Sequence, residues 1–269
     1  MFSLELESDR ETKDFLIAEL LEHGSSGIVE EDLPNGGCLL RAFFEDEVDA
    51  DALVSRFPAL IERHPPRDWV EFSRANWAPL AVGARFYLVP DWRSDPTPPG
   101  RIRIEINPGL AFGTGYHEAT QLCLESIEEY LLPHMTVVDI GAGAGILSIA
   151  AALLGARGVA ACDVDPAAVE VAAANLRRTG LGVLLFTGST DAIRSGYADL
   201  VVANISAQAS IELAPELLRC LAPGGRCIAS GIESPEAPAV EEAVERAGAA
   251  IERRMTKGDW HALVITRRV

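Results

Sequence analysis

The sequence predicts an α/β protein in two parts, a small α+β module followed by a larger parallel sheet covered by helices on both faces. Three observations carry this. The first sixty-odd residues place short strand-like and helix-like runs in the order βαββαβ, the order of a ferredoxin-like module. After Arg101, apolar strands alternate with helices. One of those strands ends in a dense run of glycines that feeds a helix.

In the first part, Phe2, Leu4 and Leu6 alternate with polar residues, as a half-buried strand does. Asp9 is placed to cap a helix with Phe15, Leu16, Ala18 and Leu20 on its apolar face, closed by Gly24. Runs at Gly27–Glu31 and Cys38–Phe44 flank the turn signal Pro34-Asn35-Gly36-Gly37. A second amphipathic segment, Val48–Phe57, precedes a last strand at Ile61–His64. Residues 1–66 are thus expected to form this module and 67–100 a Pro- and Trp-rich linker, with one strand at Ala84–Val89. The third part is 101–269.

The main chemical signal is Asp139-Ile140-Gly141-Ala142-Gly143-Ala144-Gly145, between the strand Val137–Ile140 and the apolar helix Ile146–Leu154. Glycines there let a ligand approach the backbone, and the helix N-terminus offers free N–H groups. The spacing D-x-G-x-G-x-G differs from the G-x-G-x-x-G of dinucleotide binders, which disfavours a dehydrogenase. A second strand, Gly158–Cys162, delivers Asp163, whose carboxylate can accept both hydroxyls of a ribose. Asp165 competes for that role, but it precedes Pro166, as an N-cap does. Val183–Thr187 is a third strand, and Gly188–Asp191 after it is expected near an adenine. A fourth strand ends in Asn204, where a carboxamide can meet a ligand or simply cap the helix starting near Ala207. Leu221–Arg226 reads as a turn into a fifth strand, Cys227–Ser230.

Upstream, Asn107–Thr120 crowds Phe112, Gly113, Thr114, Gly115, Tyr116, His117 and Thr120 before a helix. This loop, the D-I-G-A-G-A-G turn, the Ala203-Asn204-Ile205 segment and the closing Gly258-Asp259-Trp260 together resemble the ribosomal protein L-eleven methyltransferase (PrmA) family. The resemblance is close from Arg101 onward and looser before it. It implies a Rossmann-like, seven-stranded class I methyltransferase domain behind a substrate-recognition module. It also implies S-adenosyl-L-methionine as cofactor and methyl transfer to lysine side chains, and an N-terminal amine, of a large-subunit ribosomal protein. Carried over residue by residue, Thr120, Gly141, Gly143, Asp163 and Asn204 would contact the cofactor. Gly113 and Thr114 would do so from the loop, and Asn204 with Phe112 would serve the reacting amine. His117 is a possible proton acceptor or a cap, and Trp260 can line the site or sit in the core. The sequence departs from the family's pattern at Asn107, at Glu118-Ala119, at Ser206 and in a short linker around Trp69–Leu80, of which Ser206 and the linker bear on substrate identity. The same chemistry on another protein, and a non-catalytic cofactor-binding adaptor, are the alternatives.

Composition narrows the partners. With 23 Lys+Arg against 40 Asp+Glu the net charge is −17, which argues against binding a phosphate backbone and suits a basic partner. Five cysteines, odd in number and without a C-x-x-C pair, disfavour a disulfide framework or a zinc site, so no metal is expected. Met1–Asp14 is too charged for a signal peptide, and a cytoplasmic monomer with no membrane span is expected.

Overall fold

The computed structural model describes residues 2–8, 12–25, 27–33, 37–44, 48, 50–57, 60–63, 78–106 and 115–268. The chain divides into two compact units, 1–76 and 77–269.

The smaller unit runs β1 (Phe2–Ser8), α1 (Lys13–Glu22), β2 (Gly27–Asp32), β3 (Cys38–Phe44), α2 (Ala50–Arg56), β4 (Leu60–Arg63). Its sheet has the order β2-β3-β1-β4 with every neighbouring pair antiparallel. Strand alternation sends Leu4, Leu6, Leu40, Ala42 and Phe44 to one face, where they are buried with Leu20, Leu53 and Phe57. Phe2 and Phe44 lie opposite each other in register and stack at 5.4 Å. The N-cap of α1 is Thr12, without a side-chain capping bond. Asp9, expected to cap it, lies outside the described residues.

The larger unit begins with β5 (Leu80–Val82), β6 (Phe86–Pro90) and β7 (Ile102–Ile106), a three-stranded sheet. Most of it falls within the segment expected to be linker. Phe86, Leu88, Ile104 and Ile106 are nonetheless buried, in one core with Leu124, Ile127 and Ile146. The turn between β5 and β6 is held by Glu128, whose carboxylate accepts from the backbone N–H of Ala84, Arg85 and Phe86 at 2.8–3.1 Å.

The main sheet comprises β8 (Thr136–Ile140), β9 (Gly158–Asp163), β10 (Val183–Thr187), β11 (Ala198–Asn204), β12 (Leu221–Glu233), β13 (Ala249–Lys257) and β14 (Trp260–Arg267). Its helices are α3 (Glu118–Tyr130), α4 (Ile146–Leu153), α5 (Pro166–Thr179), α6 (Ala207–Cys220) and α7 (Ala237–Arg246). The order is β10-β9-β8-β11-β12-β14-β13, parallel except for β14, which is antiparallel to both neighbours. Val137, Val159, Leu200 and Val202 face α3 and α4, while Val138, Ile140, Val201 and Ala203 face α6 and α7. Strands buried on both faces explain their continuous apolar runs. The Leu221–Arg226 segment, read as a turn, is the start of β12 and pairs with β11 through an irregularity between Ala198 and Leu200. Gly225 allows this, since a Cβ there would stand 2.9 Å from the Ala198 carbonyl oxygen.

The chain order reverses between β8 and β11, and in open α/β sheets the crevice that receives a ligand lies at the carboxyl ends of the strands at such a junction. All five cysteines are buried and unpaired. No helix among the described residues is long and apolar enough to cross a membrane.

Candidate active site

The turn after β8 is shaped by three left-handed glycines, Gly141 (φ +72°), Gly143 (+52°) and Gly145 (+81°). Other residues pay about 1–2 kcal/mol in that conformation. Gly141 is also sterically required, because a Cβ there would lie 2.5 Å from Ile205 Cγ2 at the end of β11. The Gly141 and Ala142 N–H groups donate to the Cys162 carbonyl at 2.9 and 3.0 Å, fastening the turn to β9. Gly145 is the N-cap of α4, so that helix begins directly at the end of the glycine turn.

Asp163 ends β9 and organises what surrounds it. Its Oδ2 accepts from Gly143 N at 2.9 Å and its Oδ1 from Asp165 N at 3.0 Å. These two bonds hold the carboxylate in one orientation while leaving each oxygen a further lone pair. Asp165 accepts from Ala167 N at 2.9 Å and caps α5, with Pro166 in the first turn. Asp165 is thus engaged as the helix cap, while Asp163 makes, among the described residues, no capping bond to that helix's first turn.

On the other side of the crevice, Asn204 Nδ2 donates to Thr120 Oγ1 at 3.1 Å, joining the end of β11 to α3. That bond turns the carboxamide oxygen toward Gly231, where a Cβ would come within 3.2 Å of it. The helix after β11 is capped by Ser206, whose Oγ accepts from Ala209 N, so Asn204 is not consumed as a cap. Ser230, fully buried in β12, places its Oγ 3.1 Å from the carbonyl oxygens of both Ala119 and His261, fixing α3 against β12 and β14. His117 caps α3 through Nδ1, which accepts from Ala119 N, and its ring meets Trp260 edge-on at 4.3 Å.

Beneath the glycine turn Asp139 is fully buried. Its Oδ2 accepts from Ser148 Oγ at 2.6 Å, and its Oδ1 has no partner among the described residues. Burial raises its pKa from 3.8 to about 6; the Ser148 bonds oppose that rise and the Asp163 charge adds to it.

The structure thus brings Gly141, Gly143 and Asp163 together in one wall and Thr120 and Asn204 in the other, with Gly141 against Ile205 joining them. Phe112, Gly113 and Thr114 lie outside the described residues. Asp139, the first residue of the glycine motif, is buried beneath it, and Ser148, Asn175 and Ser230 belong to no motif; each is a polar residue inside an apolar pattern. Among the described residues no group of three His, Cys, Asp or Glu is placed to hold a metal. A carboxylate fixed to receive hydroxyls, an amide and a hydroxyl opposite, and a turn in which a Cβ would intrude fit a nucleoside bearing a zwitterionic amino-acid arm.

The chain is similar to known proteins over most of its length. The family described as "Ribosomal protein L11 methyltransferase (PrmA)" matches residues 1–268. A protein named ribosomal protein L11 methyltransferase from Symbiobacterium thermophilum is 40% identical over 199 residues, covering 74% of this chain and 66% of the relative, just under two thirds of its length. One of the same name from Listeria welshimeri is 33% identical over 259 residues, covering 89% of this chain and 82% of the relative. A crystal structure of ribosomal protein L11 methylase from Lactobacillus delbrueckii subsp. bulgaricus superimposes with a TM-score of 0.67 at 34% identity, covering 72% of this chain and all of that one.

Proposed function

Since the chain belongs to the ribosomal protein L11 methyltransferase family, we propose that it transfers methyl groups from S-adenosylmethionine to amines of a large-subunit ribosomal protein, lysine side chains foremost. The observation that carries this reading is the pairing of two preset walls at the β8–β11 junction, the Asp163–Gly143 bond on one and the Asn204–Thr120 bond on the other.

S-adenosylmethionine supplies a methyl group on a sulfonium, an electrophile ready for one-step in-line displacement. The chain's task is therefore to hold and align. Asp163, already anchored by two backbone N–H groups, accepts from the ribose hydroxyls. Gly141 and Thr120 flank the amino-acid arm. With Nδ2 committed to Thr120, Asn204 presents Oδ1 to the substrate amine, accepts one of its protons in a hydrogen bond and so directs the lone pair. A lysine amine has an unperturbed pKa of about 10.4, so it must arrive neutral, and removal from water favours that form. Orientation of this kind is worth about 7–11 kcal/mol of barrier, which makes a dedicated nucleophile unnecessary. The net charge of −17 suits a basic protein substrate.

The test is intact-mass spectrometry of purified large-subunit ribosomal proteins after incubation with this protein and S-adenosylmethionine. Gains in steps of one CH₂ on a single protein are expected. No gain on any of them, with cofactor binding demonstrated separately, would overturn the substrate assignment.

A further inference from the structure

We propose that Asn175, on the third turn of α5, is a positioning residue for the cofactor-binding glycine turn; the inference rests on the reading of that turn given above. Asparagine is a poor choice within Pro166–Thr179, directly after three consecutive alanines, since its helix propensity is well below that of alanine. Burying a carboxamide also costs free energy unless it is hydrogen-bonded. Asn175 is only 4% exposed, and its Nδ2 donates to the Ala144 carbonyl oxygen at 2.9 Å. Ala144 precedes the N-cap of α4, where intrahelical bonding starts with Ile149 N on the Gly145 carbonyl, and Asn175 supplies its carbonyl with a donor from outside that helix.

The contact is part of a fitted surface. Three residues earlier, on the same face of α5, Ala172 packs under Gly145 so closely that a Cβ at Gly145 would stand 3.3 Å from Ala172 Cβ. The N-terminus of α5 is meanwhile tied to the Asp163 carboxylate through the Asp165 N–H. One rigid helix therefore touches both cofactor-holding features, Asp163 at its start and the glycine turn at its third turn. Asn175 sets their spacing. Without its donor the turn loses the bond that fixes the Ala144 peptide, and with it the direction of the neighbouring N–H groups.

The experiment compares the full-length protein with Asn175→Leu and Asn175→Ala. Both remove the donor, the first keeping volume and the second keeping helix propensity. S-adenosylmethionine Kd is expected to rise about tenfold, or about 1.4 kcal/mol. Turnover at saturating cofactor should stay within twofold of wild type. Hydrogen exchange of the 141–145 amides should quicken while β8 and α5 keep their protection. A purely structural role would lower the melting temperature and loosen α5 and β8 together without changing Kd. A Kd within twofold of wild type in both variants overturns the proposal. If wild type itself fails to bind S-adenosylmethionine, the functional reading fails instead; exchange at 141–145 then decides the role of Asn175, and unchanged exchange refutes it.

Discussion

Asp139→Asn should remove a specific part of the pH dependence of stability. Asp139 is fully buried, and its pKa is raised from 3.8 to about 6, chiefly by burial. The native state therefore holds this proton more tightly than the unfolded chain does. The resulting stabilisation is complete below pH 3.8, is lost as pH rises, and is gone above pH 6. A shift of this size corresponds to about 3 kcal/mol in all. Roughly half of it, about 1.4 kcal/mol, disappears between pH 5 and pH 8, by the linkage relation. Asparagine keeps an acceptor for Ser148 Oγ but puts an amide N–H where Oδ1 has no partner among the described residues, adding a pH-independent cost of about 1–3 kcal/mol. Urea unfolding of the larger unit at pH 5, 6, 7 and 8 measures both effects. Subtracting variant from wild type at each pH cancels the other titrating groups, and the difference should fall by about 1.4 kcal/mol across that range. Parallel profiles, with the difference flat from pH 5 to pH 8, would refute the assignment of a raised pKa to a buried, half-satisfied carboxyl.

Asp163→Ala removes the acceptor for Gly143 N and the carboxylate proposed to receive the ribose hydroxyls, so S-adenosylmethionine Kd should rise about a hundredfold by calorimetry, the equivalent of about 2.8 kcal/mol. Asn204→Ala should leave that Kd within a few-fold and lower kcat about a hundredfold or more, because it disturbs alignment of the amine; an unchanged kcat would exclude Asn204 from the transfer step. Glu128→Ala strips one acceptor from three backbone N–H groups of the β5–β6 turn, and should cost about 1–3 kcal/mol, seen as a lower melting temperature with cofactor affinity unchanged.

The features legible in the sequence are those written into the local backbone. Gly141, Gly143 and Gly145 all take positive φ, which few other residues adopt, so a run of them after an apolar strand announces the turn. Asp165-Pro166 announces a helix start for the same kind of reason, and the alternation in β1 and β3 announces a half-buried sheet. The β5–β7 sheet is hard to tell from a linker in the sequence because its strands are three to five residues long and separated by Gly and Pro, too short for a period to show. They form a sheet because a distant helix supplies Glu128 and a shared apolar core.

The residues that went unread obey a different rule. Ser148 reaches Asp139 nine positions back, Asn175 reaches Ala144 across 31 positions, and Ser230 reaches Ala119 across 111. Their partners are set by how helices dock on the sheet, so neither spacing nor propensity encodes the pairing. Their trace in the sequence is negative: Asn175 follows three alanines, and Ser230 closes Cys227-Ile228-Ala229, where an apolar residue would pack without cost. A buried polar group survives in such a setting only if a partner offsets its desolvation. In this chain the three partners all lie on the walls of one crevice, the glycine turn, the strand below it and the first turn of α3. Motifs thus point to the glycine turn and Asp163, and the groups that hold them in place are found by asking which polar residues the apolar pattern should have excluded.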